Sequence, residues 1–174
     1  AIKKVNEGWS RSTEKFYKVS WENCAGGSAH MWMHLLAPGR LQHMQCDLSV
    51  MLSPKMYEEF VLPELYEQME SIDYPVYHFD GIEQIAHLPY LLSLEKLKAI
   101  QWTEVAGQPS AANYIPVLKR IQDAGKSLII MAPPTDIPAL MSGLSSKGLY
   151  IHTEAANVAE AKEIEEYVKK HTKE

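Results

Sequence analysis

The feature that most constrains the fold is a regular alternation of short apolar strand candidates with longer helical stretches from about residue 40 onward. The strand candidates occupy residues 42–48, 75–80, 97–102, 127–131 and 148–153. The connections between them are long enough to contain a helix and to return the chain for parallel pairing. This order of elements predicts an α/β fold with about five parallel strands.

Local signals place helices between these strands. Ser53 and Pro54 are typical of a helix N-cap followed by proline at the first helical position. Pro63 should kink that helix or restart it. Gly125 suits the end of a helix over residues 111–124. Further helices are predicted over residues 82–91, 136–144 and 158–170.

The first 39 residues are expected to form a lead-in segment, with a helix over residues 9–19 and a loop at Gly26-Gly27, but no strand. His30 and His34 have the spacing of ligands on one helix face. No Glu follows His30, however, as the zinc-protease motif requires. We therefore interpret this segment as a buried loop or helix, and residues 40–174 as the main domain.

Composition and charge exclude several classes of protein. A net charge of −5 argues against a nucleic-acid partner, because phosphate binding needs a basic face. No run of about eighteen apolar residues predicts a membrane span. Two cysteines and no visible secretion signal favour a reducing, cytoplasmic location. The chain begins at Ala1 within a helix–loop pattern, which is typical of a fragment.

Polar residues gather at the ends of the predicted strands. Side chains alternate along a strand, and the sites of barrel enzymes lie at the carboxyl ends of the strands. Together these two rules place six residues at the carboxyl ends of the predicted strands, where a barrel has its mouth: Asp47, His78, Asp80, Gln101, His152 and Glu154. Histidine with carboxylates suits a divalent metal or acid–base catalysis. A hydrogen-bonded network of interior polar residues is the alternative.

Three segments carry a resemblance to a known family: Ser53–Phe60 with Pro63, Val76–Gly81, and Leu97–Trp102. Together they resemble the C-terminal part of the uroporphyrinogen decarboxylase superfamily over about residues 40–170. That superfamily includes the decarboxylase and the cobalamin-to-thiol methyltransferases. The resemblance implies a partial (β/α)8 TIM-barrel-like domain that corresponds to the C-terminal half of a barrel.

The methyltransferase branch, which this chain resembles more closely, holds zinc by a His-x-Cys pair and a later Cys. Here His78-x-Asp80 stands at the matching strand, and His152 and Glu154 stand near the later ligand. The resemblance therefore implies zinc or another divalent metal on His78, Asp80 and Glu154. It also implies methyl transfer between a corrinoid, carried by a partner protein, and a small acceptor. The candidate catalytic residues are Asp47, His78, Gln101 and His152, with Asp47 and Gln101 orienting the substrate.

Two alternatives remain open. One is metal-free decarboxylation of a carboxylated, tetrapyrrole-like substrate, with Asp47 or His152 as the proton donor. Its carboxylates would call for arginines, and the chain has only Arg11, Arg40 and Arg120. The other is a non-catalytic half-barrel. Because an incomplete barrel leaves two sheet edges, we expect self-association, a partner chain that supplies the missing strands, or a truncated chain.

Overall fold

The computed structural model describes residues 2–172 and shows an α/β protein. Strands β1 (Ser28–His30) and β2 (Leu35–Ala37) form an antiparallel hairpin. The parallel sheet contains, in this order, β3 (Leu41–Met44), β4 (Tyr74–Asp80), β5 (Ala99–Thr103), β6 (Ser127–Met131) and β7 (Leu149–His152). Five parallel strands flanked by helices confirm the α/β prediction. Among the described residues, β3 and β7 stand at the two ends of the sheet, and no closure into a barrel is seen.

One helix precedes the first strand, and the other helices follow the parallel strands as the alternation predicts. The helices are α1 (Ile2–Asn23), α2 (Pro54–Met56), α3 (Leu62–Met69), α4 (Leu88–Ser93), α5 (Ile115–Asp123), α6 (Ile137–Gly143) and α7 (Val158–His171). Over residues 2–172, the connections also contain the 3-10 segments Asp47–Met51, Ile82–His87, Ala111–Tyr114 and Pro134–Asp136. Within the part of the chain that the structure describes, no helix combines the length and apolar character needed to cross a membrane.

The expectation that the first 39 residues hold no strand was wrong, because β1 and β2 form a hairpin there. His30 and His34 lie in or beside its turn, and His34 adopts a positive φ of 52°. Gly27 precedes the hairpin at a position where a Cβ atom would collide with the carbonyl oxygen of Ala37. Strands of three residues are too short to show the alternation from which a strand is predicted.

The first parallel strand is shorter than predicted. It ends at Met44, where its register pairs Met44 with Tyr77 of β4. The chain then turns into the 3-10 segment Asp47–Met51, in which Ser49 N–H donates to the carbonyl of Cys46 at 2.9 Å. Asp47 therefore lies in a turn after the strand and not on the strand itself.

The helix predicted at Ser53 begins there, with the Ser53 hydroxyl accepting a hydrogen bond from Met56 N–H at 3.3 Å. Between α2 and α3 the chain forms a π-helical turn over Tyr57–Val61. Pro63 then lies in the first turn of α3. It has no N–H to continue the hydrogen bonds of the preceding turn, so the helix restarts there, as predicted. The buried residues recur at every fourth position: Tyr57, Val61, Leu65 and Met69.

The chain divides into two compact units. The first takes in the described residues up to His78 together with Glu83–Lys98, and the second takes in Phe79–Ile82 and the residues from Ala99 onward. In the first unit a buried hydroxyl connects the hairpin to β3. Ser28 Oγ accepts from Leu41 N–H at 2.8 Å and donates to the Gly39 carbonyl at 2.5 Å. This contact covers part of the free edge of β3.

In the second unit, parallel pairing aligns Gln101 of β5 with Ile129 of β6, and Ile129 with Tyr150 of β7. Leu128, Ile129 and Ile130 are all buried, which is expected of a central parallel strand covered on both faces. The buried Trp102 ring stacks on Phe79, with 5.4 Å between ring centroids.

We predict that Ser28→Ala lowers the free energy of unfolding by about 1–3 kcal/mol, because it leaves the N–H of Leu41 and the carbonyl of Gly39 buried without a partner. Urea denaturation would measure the change. Ser93→Ala, which removes an exposed hydroxyl bonded to the Tyr90 carbonyl, is the matched control. Equal losses in the two variants would contradict the structural role assigned to Ser28.

Candidate functional site

Three imidazoles and one indole meet in the first unit. His30 ends β1, Trp32 lies in the hairpin turn, His43 is in β3, and His78 is in β4. We call these four residues the imidazole–indole cluster. Because β3 pairs with β4 so that His43 aligns with Val76, alternation brings His43 and His78 to the same face of the sheet.

The indole of Trp32 stands at the centre of the cluster. Its ring centroid lies 5.1 Å from that of His30, 5.6 Å from that of His43 and 5.1 Å from that of His78. All three interplanar angles are between 76° and 85°, which is the edge-to-face arrangement that aromatic rings favour. Trp32 thus fixes the orientation of imidazoles that come from three different strands.

Two of the imidazoles share a hydrogen bond. His30 Nε2 and His43 Nδ1 are 2.7 Å apart, so one of the two nitrogens carries the proton and the other accepts it. The second nitrogen of His30, Nδ1, is shielded from solvent and has no hydrogen-bond partner among the described residues. A small ligand with a polar atom at this point would satisfy it.

Burial favours the neutral imidazole at His30 and His43. Burial, with the neighbouring His43 and His78 acting in the same direction, lowers the pKa of His30 to about 4. Burial also lowers the pKa of His43, again with His78 acting in the same direction, while Gln45 and Asp47 act against the shift. Neutral imidazole is the form that accepts a proton or binds a metal. Both roles are therefore open to these rings near neutral pH.

The two predicted site residues of the first unit, His78 and Asp47, lie in different environments. His78 lies in the cluster, half-buried in β4. Asp47 is exposed in the 3-10 segment, where its carboxylate oxygens lie 3.3 and 3.4 Å from Gln45 Nε2. Asp47 thus lies on the turn that follows β3, shortly after His43 in the sequence.

In the second unit, Gln101 is buried, and its amide donates to the carbonyl of Trp102 at 2.9 Å. His152 is the last residue of β7, half-buried and aligned with Met131. By alternation, His152 and Gln101 share one face of the strands. Asp80, at the end of β4, is half-buried, whereas Glu154 lies beyond β7 and is exposed.

The donors expected for a metal do not form a complete site. Among residues 2–172, no group of three or more His, Cys, Asp or Glu is arranged to hold a metal ion. Within the cluster, two of the imidazole nitrogens are committed to each other. No chemical step is therefore derived through a metal.

A second polar group in the first unit supports the turn that carries Asp47. His87 Nε2 donates to the carbonyl of Ser49 at 2.9 Å, and Tyr57 stacks on His87 with 4.3 Å between ring centroids. Gln84 Nε2 donates to the carbonyl of Cys46 at 3.3 Å. These buried bonds hold both ends of the turn from Cys46 to Ser49.

The arginines do not form a binding site for carboxylates. Arg40 makes an ion pair with Glu14 at 3.1 Å, and its guanidinium lies over the ring of Tyr17. Arg11 and Arg120 are exposed on α1 and α5. This arrangement gives no support to a substrate with many carboxylates.

Comparison with known proteins adds no relative: no family model, no curated protein and no solved structure matches the chain. The function is therefore argued from the residues and their geometry.

Sequence reasoning missed His30 and Trp32. Both lie in a hairpin that was not predicted, and the segment was interpreted as structural. The available signal was chemical: two histidines and a tryptophan lie close together, between the glycines at 26–27 and the first parallel strand.

We predict that the cluster makes the fold sensitive to acid. Between pH 7 and pH 5, folded His30 stays neutral, whereas in the unfolded chain it takes up a proton at its ordinary pKa of about 6.5. The unfolded state therefore binds more protons, and the free energy of unfolding falls as the pH falls through this window. The loss levels off below the folded pKa of about 4.

Urea denaturation of the wild type and of His30→Asn at pH 7 and pH 5 would test this. His30→Asn should lose less stability over the window, and Leu36→Asn, which changes an exposed residue of the same hairpin, should lose as much as the wild type. Parallel losses in all three proteins would show that His30 titrates alike in the folded and unfolded states.

Proposed function

We propose that this chain is an enzyme domain that transfers a methyl group between a corrinoid carrier and a small acceptor, with the acceptor bound at the imidazole–indole cluster. The observation that carries the proposal is the position of His78. The resemblance expects a functional histidine at this strand, and His78 lies near the carboxyl end of β4, beside two further imidazoles. Ligands of α/β proteins bind at the carboxyl ends of such strands.

The cluster suits an acceptor that must lose a proton. During transfer, the lone pair of the acceptor bonds to the methyl carbon, and the electrons of the broken bond remain on the carrier. The proton of the acceptor must then go to a base. His43 takes this proton and then releases it to solvent, because burial lowers the pKa of both His43 and His30 and so disfavours a lasting imidazolium.

The exposed edge of Trp32 and the side chain of Met31, at the tip of the hairpin, would cover the acceptor on its apolar side. Asp47, on the turn after β3, would orient the acceptor through a hydrogen bond. On the second unit, the Gln101 amide donates to the carbonyl of Trp102 and its oxygen accepts from the Thr103 hydroxyl. Orientation of the substrate by Gln101 stays a prediction.

A divalent metal on His78, Asp80 and Glu154 remains part of the proposal as an expectation from the resemblance. Elemental mass spectrometry on protein purified without a His tag would measure its content. Stoichiometric zinc, lost in His78→Ala and kept in His34→Ala, would support the metal.

We predict that the protein demethylates free methylcobalamin, used in place of the carrier protein, when a simple thiol such as 2-mercaptoethanol is present. The loss of methylcobalamin absorbance would report the rate. His43→Ala should slow the reaction by about 100-fold, because it removes a general base. Leu36→Asn, an exposed change in the neighbouring hairpin, should leave the rate unchanged. A rate equal to that of thiol alone would overturn methyl transfer.

Metal-free decarboxylation is the second candidate, and one observation favours it: His152 ends β7, half-buried, on the face that it shares with Gln101. It needs a proton donor for the carbon that loses its carboxylate. Either His152, which ends β7, or Asp47, in the turn after β3, would take this role. Release of carbon dioxide from uroporphyrinogen III, abolished by Asp47→Asn or His152→Asn, would support this reaction over methyl transfer.

A further inference from the structure

A cavity of about 410 Å³ is lined by α6, β7 and α7 of the second unit. We call it the α7 cavity, and its apolar walls are formed by two residues from each element: Ile137, Met141, Leu149, Ile151, Ile164 and Val168. Each pair has the spacing that puts two side chains on one face, four residues in the helices and two in the strand. The volume is within the range of pockets that hold small molecules.

Helix α7 covers strand β7 loosely. No residue of α7 is buried, and all four residues of β7 are half-buried. On the side of α6 the packing is tight, because Ile137 is 2% exposed and Met141 4%. Protein interiors have few voids larger than a water molecule. A cavity of this size between well-formed elements therefore points to a binding site.

One polar atom beside these apolar walls has no partner. The Thr153 side chain also lines the α7 cavity, and its hydroxyl oxygen is shielded from solvent without a hydrogen-bond partner among residues 2–172. A buried hydroxyl in this state costs free energy. Rotation about χ1 exchanges the places of the methyl and hydroxyl groups of a threonine, so this hydroxyl can bond to a polar group of a molecule in the cavity.

The chemistry of the lining selects an uncharged molecule. None of the described residues that line the α7 cavity carries a charge. A carboxylate or an ammonium group would lose its water there without gaining a counter-charge, which costs far more than the burial of a hydroxyl group. A water molecule needs about two to four polar partners, and the side chains of the apolar walls offer none. An apolar body with one hydrogen-bonding group fits this lining best.

We propose that the α7 cavity binds a small, uncharged, amphipathic molecule. The apolar body of this molecule lies against Ile151, Ile164 and Val168, and its hydroxyl or carbonyl group bonds to the Thr153 hydroxyl. Binding gives that hydroxyl a partner and buries apolar surface that α7 leaves half-covered, so it also stabilises α7 on β7. The site lies wholly in the second unit and uses no residue of the imidazole–indole cluster, so it does not depend on the proposed methyl transfer.

Titration of the full chain with 1-hexanol and with sodium hexanoate, followed by proton–nitrogen correlation NMR, would test the proposal. We expect 1-hexanol to shift the amide signals of β7 and of Ile164 and Val168 until they saturate. Hexanoate, which matches hexanol in length, should bind at least about tenfold more weakly, because its charge would be buried without a partner. No saturable shift with hexanol, or equal binding of the two probes, would overturn the proposal.

Thr153→Val keeps the shape of the side chain and removes its hydroxyl. It should weaken the binding of 1-hexanol by about two- to tenfold, the worth of one hydrogen bond, and leave the binding of benzene unchanged. It should also raise the melting temperature of the protein without added alcohol, because an unpartnered buried hydroxyl is removed. A lower melting temperature would show that the hydroxyl is already bonded, and unchanged hexanol binding would show that it does not contact the alcohol. Either result would overturn the proposal.

A matched pair of variants on α7 locates the bound alcohol. Val168→Phe should abolish hexanol binding, because the larger side chain fills the cavity. Val158→Phe makes the same change at a residue of the same helix that is 72% exposed and does not line the cavity, so it should leave binding unchanged. Circular dichroism would show that both variants are folded. Equal hexanol binding by the two variants would overturn the proposal, and so would a dimer in sedimentation equilibrium that Val168→Phe abolishes, since a second copy of the chain would then occupy this surface.

Discussion

The structure depends on one constraint: parallel strands with apolar side chains on both faces must be covered on both faces. Strand β6 shows it most plainly, because three consecutive residues, Leu128, Ile129 and Ile130, are buried. Such a strand is stable only between layers of helix, and the connection between parallel strands is long enough to supply them. The alternation of elements along the chain is the direct result. At the edge of β3, where no further parallel strand pairs among the described residues, the hydroxyl of Ser28 bonds the backbone N–H of Leu41 instead.

The elements that follow this constraint were predictable from the sequence. The strand over 127–131 is found at the predicted residues, and Ser53 caps the helix that it was expected to cap. Elements whose stability comes from contacts distant in sequence were not. The hairpin has strands of three residues, so its pattern is too short to detect. Strand β3 was predicted to run to residue 48, but it ends at Met44, where the chain bends into a turn held by His87 and Gln84 from a later part of the chain.

The same distinction applies to the candidate site. Alternation along two paired strands is local, and it places His43 and His78 on one face. Their shared contact, Trp32, comes from the hairpin, and no periodicity could have brought it there. The hydrogen bond between His30 and His43 and the low pKa of His30 are likewise products of packing. The sequence contains these residues, but their chemistry arises from the burial of like groups beside one another.

The π-helical turn over Tyr57–Val61 affects which side of the surrounding helix its side chains face. An α-helix advances about 100° per residue, so side chains at every fourth position drift around the axis by about 40° at each step. The buried residues Tyr57, Val61, Leu65 and Met69 are spaced in this way, and a regular helix would carry the last of them away from the core. A turn with more residues per revolution winds the helix back and keeps them aligned. The π-helical turn therefore acts as one extra residue that keeps these side chains on the same side of the helix. Deleting a single residue within the turn would restore ordinary winding, but it would rotate either Tyr57 away from His87 or Met69 away from the core.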